Sequence, residues 1–598
     1  MTGLAGGTID GSELEATVGS LTGRGSEAAW HFERDGRGIG LSSATRDPAS
    51  STAWDNGSNG GAIYGVVTNL NELGWTKDGL FERFLERPVE TAAAVEGDFL
   101  AACYDGDDDR FVLVTDKLGS RSCFYTGDNG FHFATAVDVL VSQVENRSLD
   151  VQAASDMLLM GHMWGDRTLV EGVRAMRPAT VLEVTDGAAS ATRYWKPDYT
   201  AHEGGPAYLD ELARRYDRAA ERVAGTLPET AGIWLSGGLD SRMTAAALLR
   251  HTRADGFRTL RAYGYDANPP TDDNPKIAGA VADSLGISYE QIPLSAETFA
   301  DDFDRVIGVV DGMLQWTTAA NLSPSYRVDE GTPVLMEGME GALIGDHLLR
   351  HHFDDDQSVV DAQRQSEAST SASTVARLFE PAVDPLKSFR AEAERTPEST
   401  HHGKVLDIHF QNYHARLGLA SNRLMRDRGE SRTVQVDGDY LEWCAKLPHQ
   451  YRKGTFPLSE RVVQADAGGI PYGTSPAKLE LCRRVSPELA EITYERTKLK
   501  PSLPYPLHAT GFVGNVLVNK ARRKPTYASG QLPDFWIRNT DTDIHQRVAA
   551  LIADASDRDL FAGGAVEELF EQHMAGANNA SMLAKITTLE RWIQEHLD

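Results

Sequence analysis

Ile233-Trp234-Leu235-Ser236-Gly237-Gly238-Leu239-Asp240-Ser241-Arg242 joins an apolar run, a glycine pair and a serine-flanked helix start. Gly232 to Leu235 predicts a buried strand, and Ser241 to His251, rich in Ala and Leu, predicts a helix. Between them, Gly237 and Gly238 permit a sharp turn whose N–H groups point at an anion. The helix that follows directs its positive end to the same spot. Leu235, Ser236, Gly237, Gly238, Leu239, Asp240 and Ser241 are therefore expected to line a phosphate site. Ser236 and Ser241 would donate hydroxyls, and Asp240 would hold Mg²⁺ on the phosphates. The loop is not GxxxxGK[ST] and carries no lysine, which points to pyrophosphate rather than a γ-phosphate as leaving group. The plainer alternative is an ordinary glycine-rich turn.

Outward from this loop, Leu209 to Thr226 is amphipathic at helical spacing, Thr259 to Tyr263 reads as a strand and Ile277 to Leu285 as a helix. Strand and helix in alternation predict a parallel sheet wrapped by helices. Residues 354–375 read as a polar loop or insertion. Residues 400–598 read as largely helical, broken at Lys500-Pro501-Ser502-Leu503-Pro504-Tyr505-Pro506. Residues 1 to about 200 read as β-rich, with strands at Gly61–Val67, Phe131–Thr135 and Thr180–Val184. Phe99–Tyr104 and Phe111–Thr115 flank the acidic turn 105–109 as a hairpin. Residues 45–60 read as a loop. Two domains follow, 1–200 and 201–598, with no internal repeat.

The chain has 598 residues, 59 Lys+Arg against 87 Asp+Glu, and a net charge of −28. Such a surface repels nucleic acid and anionic membrane. Only 14 of the basic residues are lysine. Acidic surplus with scarce lysine predicts a protein of a salt-saturated cytoplasm, where a Debye length of about 3 Å at 1 M screens self-repulsion. No apolar run is long enough for a membrane helix. The N-terminus lacks the basic and apolar regions of a secretory signal. Together these predict a cytoplasmic location. Cys103, Cys123, Cys444 and Cys482 have neither metal-ligand nor CxxC spacing. The histidines at 347, 351–352 and 401–402 lack acidic or thiol partners at metal spacing.

The Ser236–Ser241 loop resembles the signature of ATP pyrophosphatases of the asparagine synthetase type. Further stretches are similar to that family in the same order: Tyr64-Gly65-Val66-Val67-Thr68-Asn69-Leu70-Asn71-Glu72-Leu73, Glu96-Gly97-Asp98-Phe99 through Asp116-Lys117-Leu118-Gly119-Ser120-Arg121, Arg193-Tyr194-Trp195 and Arg432-Thr433-Val434-Gln435-Val436-Asp437. The resemblance implies an α/β protein: an N-terminal αββα Ntn-hydrolase-like domain of the class II glutamine amidotransferase kind (1–200), then a doubly wound parallel-sheet ATP-pyrophosphatase domain (201–598). It implies ATP and Mg²⁺ as cofactors, and adenylation of a carboxylate followed by attack of an amine or ammonia.

The chain departs from that pattern at several points. The family nucleophile is Cys at position 2; here it is Thr2, which with its own amine could still serve. The family's Asn-Gly-Glu pocket is replaced by Tyr64-Gly65-Val66, which removes the amide and carboxylate expected to hold glutamine. In the second loop, Glu337-Gly338-Met339-Glu340-Gly341-Ala342, the expected metal acid falls on Ala342. Glu340 is the substitute carboxylate expected beside Asp240, with Asp346 as the other option. The family's lysine over the α-phosphate falls near Phe456, with Lys453 its nearest replacement. The expected catalytic set is Asp240, Glu340 and Lys453, the metal ligands are Asp240 and Glu340, and Tyr263 and Gly338 join the nucleotide-binding residues. The basic stretch 494–500 reads as ion-pairing with the acidic body, with steering of an anionic substrate as the alternative.

The expected function is an ATP-dependent amide-forming ligase with an inactive glutaminase domain. It would act on an aspartate-like carboxylate with ammonia or a substrate amine, without nucleic acid or membrane partners, and the resemblance admits a homodimer. Two rivals stand beside it: a degenerate protein that only binds nucleotide or a partner, and a ligase tailoring a natural product or peptide.

Overall fold

The structure, a computed structural model, describes residues 3–21, 26–44, 47–254, 258–267, 274–345, 357–452, 475–522 and 531–598. Thr2, Asp346, the histidines at 347 and 351–352, Lys453 and Phe456 lie outside these residues.

The N-terminal part is built on two six-stranded antiparallel sheets. One runs Arg174–Ala175, Phe124–Thr126, His132–Ala134, Gly3–Thr8, Arg37–Ala44, Ser26–Arg34; the other runs Ala188–Arg193, Thr180–Thr185, Arg110–Thr115, Gly97–Asp105, Gly60–Val67, Ser51–Asp55. Strand alternation sorts the side chains. Leu41, Leu100, Ala102 and Leu113 meet between the sheets, whereas Ile63, Ala101, Val112 and Val114 turn outward onto Phe81 and Phe84 of the helix Lys77–Glu86. Helix Gly11–Ser20 covers the first sheet through Leu14 and Val18. This is the expected αββα layering.

The second part carries five parallel strands in the order Tyr289–Leu294, Thr259–Ala267, Thr230–Trp234, Val334–Met336, Glu430–Arg432. Alternation again sets the faces. Ala231, Ile233, Leu260, Ala262, Val334 and Met336 pack with helices such as Pro206–Ala224 and Asp240–Ala254, while Trp234, Tyr263 and Leu335 pack into the cluster that holds the C-terminal helices. Both faces are covered, as a parallel sheet requires. Chain order reverses at Thr230–Trp234, whose neighbours lead away in opposite directions. Ligands of such sheets bind beyond the carboxyl ends of the strands at that switch point.

The structure corrects three local expectations. Residues 45–60 hold an edge strand, Ser51–Asp55, whose Trp54 stacks on Phe81 at 5.7 Å between centroids. Residues 354–375 hold helix Val359–Glu367 and the start of helix Ala372–Leu378, begun by the side-chain caps Ser358 and Ser371. The region read as helical contains the fifth parallel strand, Glu430–Arg432. Packing also crosses the boundary near residue 200: Met157 and Leu158 of helix Val151–Met160 share a buried cluster with Trp316 and Trp592.

Candidate active site

Two loops meet at the switch point, one after Thr230–Trp234 and one after Val334–Met336. The first is the Ser236–Ser241 loop, and the helix after it begins at Asp240. Ser241 Oγ accepts from the Ser236 N–H at 3.0 Å, and Ser236 Oγ accepts from the Gly238 N–H at 3.1 Å. Gly237 N–H donates to Asn274 Oδ1. Leu235 and Leu239 are buried and anchor the loop ends, with Leu235 N–H donating to the Tyr263 carbonyl at 2.7 Å.

Arg242 holds this loop from beneath. Its Nε donates to the Gly238 carbonyl (2.8 Å) and Nη2 to the carbonyls of Gly237 (2.9 Å) and Thr493 (3.1 Å). Nη1 donates to Leu489 (3.1 Å) and Ile492 (3.0 Å). One fully buried guanidinium thus bonds five carbonyls, with no acid among these partners. Burial lowers its pKa. The rigid fork of donors can do this; an ammonium cannot. Nothing local in the sequence marks Arg242 for this role.

The second loop is clamped to the first. A Cβ on Gly338 would lie 2.4 Å from the Asp240 carbonyl carbon, so only glycine allows this approach. Gly341 N–H donates to Asp240 Oδ2 at 2.9 Å. Glu340 is fully buried; its Oε1 accepts from Gln435, and its Oε2 has no hydrogen bond among the described residues. Burial and the neighbouring Asp240 carboxylate push its pKa up to about 7. Glu340, not Ala342, therefore answers Asp240. Ala342 lies in the apolar cluster, and its carbonyl accepts a 2.8 Å hydrogen bond from His409, kept neutral by burial with a pKa of about 4. An acid at 342 would be buried among hydrocarbon.

Lysine arrives from elsewhere. Lys478, on helix Pro476–Val485, is buried and places Nζ 2.7 Å from Asp240 Oδ1. Its helix is fixed by Ser475, whose hydroxyl donates to the Ile344 carbonyl at 2.6 Å. The expectation at Lys453 lies outside the described residues; Lys478 is the lysine found beside Asp240. Tyr263 is corrected outright. Strand alternation turns its ring to the opposite face, where its hydroxyl bonds Thr332 Oγ1 at 2.9 Å. Stretch 494–500 packs on the loop, with Glu495 N–H donating to the Gly237 carbonyl at 3.2 Å, while Lys500 pairs with Glu491 at 3.2 Å.

Among the described residues no three His, Cys, Asp or Glu side chains cluster as a metal site. Two carboxylates suit Mg²⁺ nonetheless, because it keeps several waters. The buried, unbonded Glu340 Oε2 beside Asp240 fits that demand.

The pocket strand of the N-terminal part presents different chemistry. Gly65 has φ +105°, and a Cβ there would meet the Asp98 carbonyl oxygen at 2.2 Å and Arg121 Nε at 2.4 Å. Arg121 fills the space. Its guanidinium lies 4.1 Å from the Tyr64 ring centroid, 2.8 Å from Asp98 Oδ1 and 3.1 Å from Glu430 Oε2. Burial first, then Glu430, pushes the Tyr64 pKa up to about 12. Arg432 reaches back from the parallel strand Glu430–Arg432 to Asp47 at 2.5 Å. Arg193 pairs across the same seam with Asp407 at 2.8 Å. Asp437 binds Arg222 at 2.5 Å.

Comparison with known proteins agrees with this division. The glutamine amidotransferase domain family matches residues 79–195, and the asparagine synthase family matches residues 220–454. The first match begins after Tyr64–Val66; the second contains both loops of the crevice. "Asparagine synthetase [glutamine-hydrolyzing] 3" of Bacillus subtilis (strain 168) is 22% identical over 253 residues, 39% of this chain and 40% of that protein. "Putative asparagine synthetase [glutamine-hydrolyzing]" of Mycobacterium tuberculosis (strain H37Rv) is 24% identical over 237 residues, 37% of this chain and 35% of that protein. The matched stretches thus span well under half of these relatives. Among solved structures, the glutamine phosphoribosylpyrophosphate amidotransferase from B. subtilis, complexed with ADP and GMP, aligns at 10% identity and TM-score 0.23, covering 49% of this chain and 82% of that one. An allosteric regulatory enzyme of purine biosynthesis aligns at 8% and TM-score 0.23, covering 67% and 94%. With an amidotransferase domain followed by an asparagine synthase domain, the chain belongs to the asparagine synthetase-like family.

Proposed function

We propose that this protein is an ATP-dependent amide-forming ligase that activates a carboxylate as its adenylate, with release of pyrophosphate. The observation that carries this reading is the meeting of Asp240 with Lys478, 2.7 Å apart, where the second loop, with its buried Glu340, clamps onto the Ser236–Ser241 turn. Asp240 and Glu340 would hold Mg²⁺ there, and the metal, when bound, would neutralise charge on the departing pyrophosphate. Lys478 would share that task, since it faces charge that builds only as the bond breaks. The amine is proposed to be ammonia or a substrate amine rather than glutamine, because Tyr64, Val66 and Arg121 occupy the pocket strand and its surroundings. An aspartate-like acid is the first carboxylate to try.

Pyrophosphate release from ATP, measured with a panel of carboxylates with and without ammonia, tests this. Release is expected with at least one carboxylate, and glutamine should not replace the amine. A chain that binds ATP yet releases no pyrophosphate with any acid would favour a non-catalytic nucleotide-binding role.

A salt-saturated cytoplasm is proposed as the working environment, on the −28 charge and the 14 lysines. Dialysis from molar salt to about 0.1 M lengthens the Debye length to about 10 Å. Circular dichroism should then show unfolding; an intact fold in low salt would contradict this.

A further inference from the structure

We propose that the basic stretch 494–500 and helix Tyr505–Arg522 form a docking surface for an acidic polypeptide that also carries apolar side chains. From Arg496 to Pro533 the chain runs 38 residues without Asp or Glu. With 87 acids in 598 residues, five or six would be expected in such a span. It holds seven Lys or Arg instead, including four of the 14 lysines. Here a chain of net charge −28 can receive a negative partner.

The same span exposes apolar surface. The described residues leave few large apolar side chains in solvent, and three of these stand on one helix: Leu507, Leu517 and Val518, at 49%, 57% and 45% exposure. With Thr510, Gly514 and Ala521, all exposed, they follow helical spacing and make one uncharged stripe. Lys520 and Arg522 stand in the last turn of this helix. A contiguous apolar patch rimmed by polar residues marks an interaction surface. Leucine and valine offer no platform for stacking bases, and an anionic membrane would meet the acidic body as well as the stripe. A polypeptide with carboxylates beside aliphatic side chains answers both features.

This surface is joined to the Ser236–Ser241 loop. His508 clips the helix to the basic stretch: its Nε2 donates to the Lys500 carbonyl at 3.1 Å, and its Nδ1 accepts from the Thr497 hydroxyl at 2.8 Å. Burial keeps that ring neutral, with a pKa of about 4. Asn515 Nδ2 donates to the Arg496 carbonyl at 3.1 Å. The stretch in turn meets the loop: the Glu495 N–H donates to the Gly237 carbonyl, and the Thr493 carbonyl accepts from Arg242. Arg496 and Lys498 are exposed on it. On the ligase reading above, on which this role rests, a partner docked here would bring its own carboxylate to the loop.

Panning a display library of short random peptides on the full chain, in salt that keeps it folded, tests the surface. Selected peptides should be enriched in Asp or Glu together with Leu, Ile, Val or Phe. Strong salt leaves only charge pairs at contact range, with a Debye length of about 3 Å at 1 M, so the stripe should carry much of the affinity. In fluorescence anisotropy, Leu507→Ser combined with Leu517→Ser should weaken the best peptide at least about tenfold. Lys498→Asn, which suits the left-handed backbone there (φ +57°), should weaken it less and reduce its preference over a Gln-for-Glu counterpart. Both variants should keep the wild-type melting temperature and Mg²⁺-ATP affinity. Pyrophosphate release with small free carboxylates should also persist in both, so docking and ligase chemistry fail separately. The proposal is overturned if the selected peptides show no acidic enrichment, if they bind both variants as tightly as the wild type, or if phosphatidylglycerol vesicles, and no peptide, bind through these residues.

Discussion

The crevice at the Ser236–Ser241 loop and the region around strand Gly60–Val67 both bury carboxylates, but they neutralise them differently. Around the pocket strand, Asp47, Asp98 and Glu430 lie among Arg121, Arg426 and Arg432, three acids to three arginines. In the crevice, Lys478 pairs with Asp240, and Glu340 accepts a hydrogen bond from the neutral amide of Gln435. The first arrangement matches acids with arginines within the protein and ties the two domains together. In the second, burial first and then the Asp240 carboxylate push the Glu340 pKa up to about 7.

The comparison breaks most visibly at Arg121. Arg121→Met should leave Asp98 and Glu430 buried without their shared partner, costing about 3–5 kcal/mol. Thermal unfolding should show a large fall in melting temperature, and no glutaminase activity should appear. A near-normal melting temperature would mean that the network does not hold the seam.

Arg242→Lys sharpens the other side. The substitution keeps the charge but cannot reach five carbonyls, and each carbonyl left unpaired costs about 1–3 kcal/mol. The expected result is a loss of stability similar in size to that at Arg121, with Mg²⁺-ATP binding weakened about tenfold because the loop loses the anchors that hold its shape. Unchanged ATP affinity in calorimetry would remove Arg242 from the loop's support.

These contrasts bear on what could be read from residues alone. Strand-turn-helix order and the glycine pair placed the Ser236–Ser241 loop, because those signals lie within one turn of chain. Alternating apolar residues in the longer strands gave the sheets. Glu430–Arg432 escaped because three residues carry no period, and the trimmed polar strand Ser51–Asp55 escaped because its one large apolar side chain, Trp54, is the only sign of packing. Lys478 escaped for a different reason. It is separated from Asp240 by much of the domain, and only the packing of helix Pro476–Val485 on the second loop brings them together. In the second loop the sequence already offers Glu340 as the acid in place of Ala342, and three dimensions add that Ala342 lies in hydrocarbon while Glu340 feels the Asp240 charge.

The central claim is that Asp240 and Glu340 form one cation-dependent ATP site. Titration of ATP into the protein with and without Mg²⁺, from pH 8 down to about pH 5.5, tests it most directly. With a raised pKa, Glu340 is ionised above about 7, and below that a metal must displace its proton. Mg²⁺-dependent affinity should therefore be full at pH 8 and fall by up to about tenfold per pH unit below 7. Glu340→Gln should flatten that dependence, and Asp240→Ala should weaken Mg²⁺-ATP binding at every pH. Affinity that ignores Mg²⁺, pH and both substitutions would contradict the account.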